Sequence, residues 1–155
     1  MRATGIVRRI DDLGRVVIPR EIRRSLRIRE GDPLEIFVDG NALCLVKYNT
    51  LEENYKPYLT AMLAVLDGRG VRCAVYDRDG YRYMQSKHTD LPKEIALKEL
   101  EERGLVLAHN GEQIGFLWCE NVEGKWDIIP ESEWDIIHSA VSMFHEILKA
   151  TDVGG

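Results

Sequence analysis

Cysteine is scarce in this chain of 155 residues: Cys44, Cys73 and Cys119 are an odd number, widely spaced and without a CxxC pair. That disfavours a disulfide framework and a zinc site, so the cysteines read as small core residues of a protein in a reducing cytoplasm. Long apolar runs are also missing. The longest, Ala61 to Leu66, is far short of the roughly 20 residues a membrane helix needs, and the chain meets charge too early for a secretory signal. No membrane partner is expected. Catalytic signatures are incomplete. His145-Glu146-Ile147-Leu148-Lys149 carries lysine where a zinc-protease motif needs its second histidine, and Gly124-Lys125 lacks the flanking residues of a phosphate loop. His88, His109, His138 and His145 have no paired spacing for a metal. The expectation is a protein without catalytic residues, metal or cofactor.

Lysine is absent from the first 29 residues, and that absence points to what is there. All the positive charge of this stretch is arginine, at positions 2, 8, 9, 15, 20, 23, 24, 27 and 29, against Asp11, Asp12 and Glu21, a balance of +6. From residue 51 onward 11 basic residues face 19 acidic ones, a balance of −8, so the overall net charge of −5 conceals two parts with different purposes. Arginine's planar fork suits phosphate and guanine edges better than lysine does.

The early segment reads as ββαββ. Thr4 to Ile10 alternates as a strand, Asp11-Asp12-Leu13-Gly14 turns, and Arg15 to Ile18 returns. Pro19 suits the first position of a short helix reaching Leu26, Arg29-Glu30-Gly31-Asp32 turns again, and strands Leu34 to Val38 and Ala42 to Lys47 follow. A core this small gains its missing burial from a second copy. On the helix, Ile22 and Leu26 mark a buried stripe, while Arg20, Arg23, Arg24 and Arg27 share the opposite arc. Acidic partners at helical spacing are almost absent, which favours a polyanion-binding face over a merely solvated one. Arg8, Arg9 and Arg15 extend that patch if the fold unites strand and helix.

Thr4-Gly5-Ile6-Val7-Arg8-Arg9-Ile10-Asp11-Asp12-Leu13-Gly14-Arg15-Val16-Val17-Ile18-Pro19, with Glu21-Ile22-Arg23-Arg24-Ser25-Leu26 and Gly31-Asp32-Pro33-Leu34-Glu35-Ile36, resembles the AbrB-type swapped-hairpin DNA-binding domain. The resemblance runs without a gap over about 48 residues. It implies two interleaved chains forming a β-barrel, with DNA contacts carried by Arg8, Arg9, Arg15, Arg23 and Arg24; Arg20 and Arg27 are added from the helical arc. With an acidic second part of this length, the whole chain is similar to the sporulation regulators of that family, whose second domain is GAF-like.

That second part reads as a small α+β domain in the order α-ββ-α-βββ-α. A helix capped by Thr50 runs to Leu66, with Pro57 kinking or delaying it; strands Val71 to Tyr76 and Tyr81 to Ser86 follow. Pro92 opens a helix ended by Gly104; Leu105 to His109 and Gln113 to Cys119 flank Asn110-Gly111; Trp126 to Ile129 adds a strand; and Ser132 caps a last helix to about Ala150. Tyr76, Tyr81, Tyr83 and Trp118 could line a cavity for a small-molecule ligand, although sheet packing is the stronger reading. Trp134, Ile137, Val141, Phe144 and Leu148 form one stripe of the last helix and Ile136, Ala140, Met143 and Ile147 a second, one free to cover the domain's own sheet while the other meets a partner; with Leu59, Met62 and Leu66 on the first helix, the seam at Ile137, Val141, Phe144 and Leu148 is expected between subunits.

The sequence reading is therefore two domains, 1–50 a swapped-hairpin AbrB-type barrel completed by an obligate dimer and 51–155 a GAF-like sensory or oligomerising domain, in a cytoplasmic DNA-binding transcription regulator. Partners are double-stranded DNA and further copies of the chain, up to a tetramer through the second-domain helices. The alternative is an antitoxin that binds its own promoter and a toxin. Its toxin-binding segment should be extended and disorder-prone, unlike residues 51–155.

Overall fold

The computed structural model describes residues 3–153 and divides into two compact units between Tyr48 and Asn49. In the first, the turn at Asp11–Gly14 forms: Gly14, in the left-handed region at φ 78°, donates its N–H to the Asp11 carbonyl at 3.1 Å, and the Asp11 N–H reaches the Arg15 carbonyl at 3.0 Å. Its arms, expected as strands Thr4 to Ile10 and Arg15 to Ile18, form no ladder. A strand is held by the amides and carbonyls of a neighbour, and one chain offers these segments none.

Helix α1 (Arg20–Ser25) is one residue shorter at each end than expected, with Pro19 at its N-cap and Leu26 at its C-cap. Strands β1 (Leu34–Asp39) and β2 (Ala42–Lys47) pair antiparallel, Leu34 opposite Lys47. Among the described residues of this unit none is buried. Val7 is 83% and Val38 78% exposed, and Leu26, expected inside, is 51% exposed.

The second unit starts with α2 (Thr50–Asn54). Its cap is Asn49 rather than Thr50, because the Asn49 side-chain oxygen accepts the N–H groups of Leu51 at 3.1 Å and Glu52 at 3.3 Å. The expected continuous helix breaks at Tyr55, and α3 (Lys56–Leu66) restarts with Pro57 in its first turn, where a missing N–H costs nothing. Strands β3 (Val71–Asp77), β4 (Arg82–Gln85), β5 (Leu105–His109) and β6 (Glu112–Asn121) form one antiparallel sheet in the order β4-β3-β6-β5. Asn110 and Gly111, at φ 52° and 79°, make the tight β5–β6 turn that the dipeptide signals.

Helix α4 (Leu97–Arg103) begins five residues later than the expected start at Pro92. The intervening segment is recruited to the sheet: the Arg82 N–H donates to the Lys93 carbonyl at 2.8 Å and the Ile95 N–H to the Gly80 carbonyl at 2.9 Å. Tyr76 donates its hydroxyl to the Pro92 carbonyl at 2.7 Å. Trp126 to Ile129, expected as a strand, is a turn, leaving two rather than three strands there. Helix α5 (Glu131–Val153) opens on the Pro130 carbonyl, which accepts the N–H groups of Glu133 and Trp134, so Ser132 lies inside the helix rather than capping it.

Period-two alternation divides the strand residues between two layers. Val71, Cys73 and Val75 of β3 and Leu117 and Cys119 of β6 join a cluster with α2, α3 and α5. Ala74, Tyr76, Phe116 and Trp118 point the other way, against Leu91, Ile95 and Leu100. Tyr76 and Trp118, candidates for lining a ligand cavity, are thus buried in sheet packing, and burial pushes the Tyr76 hydroxyl up to about 12. Both helical seams expected between subunits are internal. Leu59, Leu66 and Ile137 are 0% exposed and Met62, Val141, Phe144 and Leu148 nearly so, because α3 and α5 use these residues to cover their own sheet.

Candidate nucleic-acid interface

The arginines fall into three settings. Arg8 and Arg9 are exposed on the extended arm before the first turn. Arg15 follows the turn and is held there: the Asp11 carboxylate accepts its Nε at 2.9 Å and its backbone N–H at 2.8 Å, together with the N–H of Leu13 at 2.9 Å. These bonds with Arg15 keep the Asp11 carboxyl below the ordinary carboxylate range. Arg20, Arg23 and Arg24 are exposed on α1, where Arg20 and Arg24 line a shallow concavity with Glu21 and Ser25. Arg23 donates Nε to the Ile18 carbonyl at 3.1 Å, which ties the helix to the strand-like arm before it.

Arg27 departs from the expected arc. The helix ends before it, its backbone is left-handed at φ 54°, and its carbonyl accepts the Lys47 ammonium at 2.9 Å. That lysine, and the carboxylate of Asp11, are the positioning residues that sequence reading passed over. An aspartate four residues before an arginine, across a glycine turn, is the signal that marks Asp11; Lys47, 20 residues from its partner, leaves no local signal. Among the described residues Arg8, Arg9, Arg20, Arg23 and Arg24 enter no ion pair. Five guanidiniums without an intramolecular carboxylate add little to folding and are available to a polyanion.

Comparison with known proteins decides the family. Stage V sporulation protein T of Bacillus subtilis is 46% identical over 123 residues, which span 74% of this chain and 67% of that protein. The chain belongs to the family of that AbrB-type regulator. The B. subtilis transition state regulatory protein AbrB is 60% identical over 48 residues, spanning 31% of this chain and half of AbrB. The solved N-terminal DNA recognition domain of AbrB aligns at 60% identity with a TM-score of 0.27, and a second solution structure of that N-domain at 60% with 0.30; each spans 31% of this chain. A family model described as antidote-toxin recognition MazE, bacterial antitoxin, matches residues 7–52.

In the second unit the polar groups are engaged structurally. Tyr55 Oη and His109 Nδ1 share a hydrogen bond of 2.8 Å, and His145 Nε2 accepts the Ala108 N–H at 3.2 Å. Burial lowers the His145 pKa, followed by the charge of Lys149. Tyr83 donates to the Glu52 carboxylate, which lowers the Glu52 pKa; burial, followed by this bond, raises that of Tyr83. Among the described residues no group of three or more potential ligands could hold a metal ion, and no helix is long and apolar enough to cross a membrane.

Proposed function

We propose that this chain is a cytoplasmic transcription regulator whose residues 1–50 bind double-stranded DNA through Arg8, Arg9, Arg15, Arg20, Arg23, Arg24 and Arg27. The observation that carries the reading is that five of these arginines, Arg8, Arg9, Arg20, Arg23 and Arg24, are exposed without carboxylate partners within a segment 60% identical to AbrB. Asp11 and Lys47 orient the neighbouring backbone and side chains. The exposed apolar residues of the first unit support a dimer in which the two arms pair into a swapped-hairpin barrel. Residues 51–155 act as a GAF-like sensing or assembly domain, and a second-domain contact builds a tetramer that raises avidity by effective concentration.

The antitoxin reading draws on the family model over residues 7–52, but the following residues carry two buried clusters on either side of a sheet. A toxin-binding tail need not bury such cores. The decisive experiment measures DNA affinity against salt. A dimer making about 6–10 phosphate contacts loses roughly 10³–10⁵ in affinity between about 50 and 200 mM salt. Alanine at both Arg23 and Arg24 should weaken binding and flatten that slope by roughly one contact per arginine removed. Unchanged affinity and slope in the folded double variant would refute the assignment.

A further inference from the structure

Cys73 and Cys119 are 46 positions apart in the sequence, yet they are direct partners across β3 and β6, the two central strands of the sheet. Their sulfur atoms are 3.1 Å apart, both side chains are buried, and both are reduced. Each belongs to the apolar cluster beneath α3 and α5. We propose that Cys73 and Cys119 are a redox-modification site, a dithiol that a small peroxide converts into an intrachain disulfide at the centre of the second domain.

The step balances without another reactant. One sulfur, as thiolate, attacks a peroxide oxygen; the O–O bond breaks, leaving a sulfenic acid and releasing the first water. The second sulfur attacks the sulfenic sulfur, forming the S–S bond and expelling hydroxide, which leaves with a proton as the second water. Two S–H bonds are lost, the sulfur pair gives up two electrons, and the peroxide takes them.

The surroundings determine how such a site behaves. A hydrogen bond with Cys73, followed by burial, raises the Cys119 pKa well above its ordinary value, so Cys119 rests as the thiol and is slow to react. Burial restricts access to an oxidant the size of hydrogen peroxide, admitted when the strands open locally. Residues directly opposite on antiparallel strands hold their Cβ atoms about 4.5–5.5 Å apart, whereas a disulfide favours about 3.5–4.5 Å. Bond formation therefore draws the central strands together beneath α3 and α5. A link that demands such adjustment is readily reduced, which suits a reversible modification in a reducing compartment.

Trypsin separates the three cysteines, placing Cys44 in residues 30–47, Cys73 in 73–78 and Cys119 in 104–125. The full chain is exposed to hydrogen peroxide, alkylated in denaturant and digested without reductant. The expected product is the peptide 73–78 joined to 104–125, released by dithiothreitol, with mass lower by two hydrogens than the separate thiol peptides. Recovery of Cys73 and Cys119 as alkylated thiols, as separate sulfinic acids, or linked to Cys44 overturns the proposal. In a Cys73→Ala chain treated alike, Cys119 should enter no intrachain disulfide; a link from Cys119 to Cys44 in equal yield also overturns the proposal. Should that variant fail to fold, the map of the unaltered chain decides the question alone.

Discussion

Arg15 and His145 show how one side chain can be committed by its neighbours. Arg15 is held by Asp11 through its Nε and backbone N–H, so an interface built on it has one orientation already selected. His145 must be neutral to accept the Ala108 N–H at Nε2. Its pKa is lowered below 6.5 in the folded chain by burial and Lys149, while Glu146 opposes the shift. The unfolded chain therefore takes up the proton first as pH falls. The associated stability is present above about pH 6.5 and declines below it until the folded histidine also titrates. Denaturant unfolding of the full chain across this range should show the decline, and His145→Gln should reduce it. A decline equal in the two proteins would show that His145 is not its source.

Secondary-structure elements here begin where a particular group can satisfy the first free amides. Asn49 does so for α2, accepting from two consecutive N–H groups, while Thr50 lies within the helix. Asn49→Ala should cost about 1 kcal/mol of second-domain stability, and Thr50→Ala should cost less because the cap survives; equal losses in chemical denaturation would contradict the assignment. The delayed start of α4 follows the same accounting in reverse. Lys93 and Ile95 use their backbone groups to bind Arg82 and Gly80, so the helix waits until Leu97. Gly115 fits a similar constraint: a Cβ there would run into the Tyr76 carbonyl across the β3–β6 pair.

At the scale of the whole molecule, the two units differ in how completely one chain covers them. Fully burying a Val, Leu or Ile side chain contributes about 1.5–3 kcal/mol, and a domain is stable by only about 5–15 kcal/mol in total. Leaving Val7, Ile10, Leu13, Val17, Val38 and Leu43 more than 60% exposed removes a sum comparable to that entire margin. A fragment of residues 1–50 should therefore unfold and dissociate together on dilution, with a concentration-dependent midpoint in calorimetry; a midpoint independent of concentration would contradict the swapped dimer. For assembly through the second domain, the exposed large apolar residues of α5 among the described side chains are Met143 and Ile147, at 51% and 40% exposure, rather than its buried stripe. In the tetramer proposed above, Met143→Glu with Ile147→Glu should reduce the mass measured by light scattering to that of a dimer and lower DNA affinity while the domain stays folded. Unchanged mass would refute an assembly contact on this helix.

By itself the sequence determined what local chemistry controls: the arginine arm, the Asp11–Gly14 turn, β1 and β2, the Asn110-Gly111 hairpin and the division into a basic and an acidic part. Each rests on residues within a few positions of one another, where φ preference, alternation and charge spacing act directly. Tertiary structure decided which of several legitimate local signals prevailed. The stripe of Ile137, Val141, Phe144 and Leu148 has the same spacing whether it meets another subunit or its own sheet, and only the position of α3 and α5 over β3 and β6 turns it inward. Cys73 and Cys119 became a pair for the same reason. Strand register joins residues 46 positions apart, and no pattern of local spacing carries that distance.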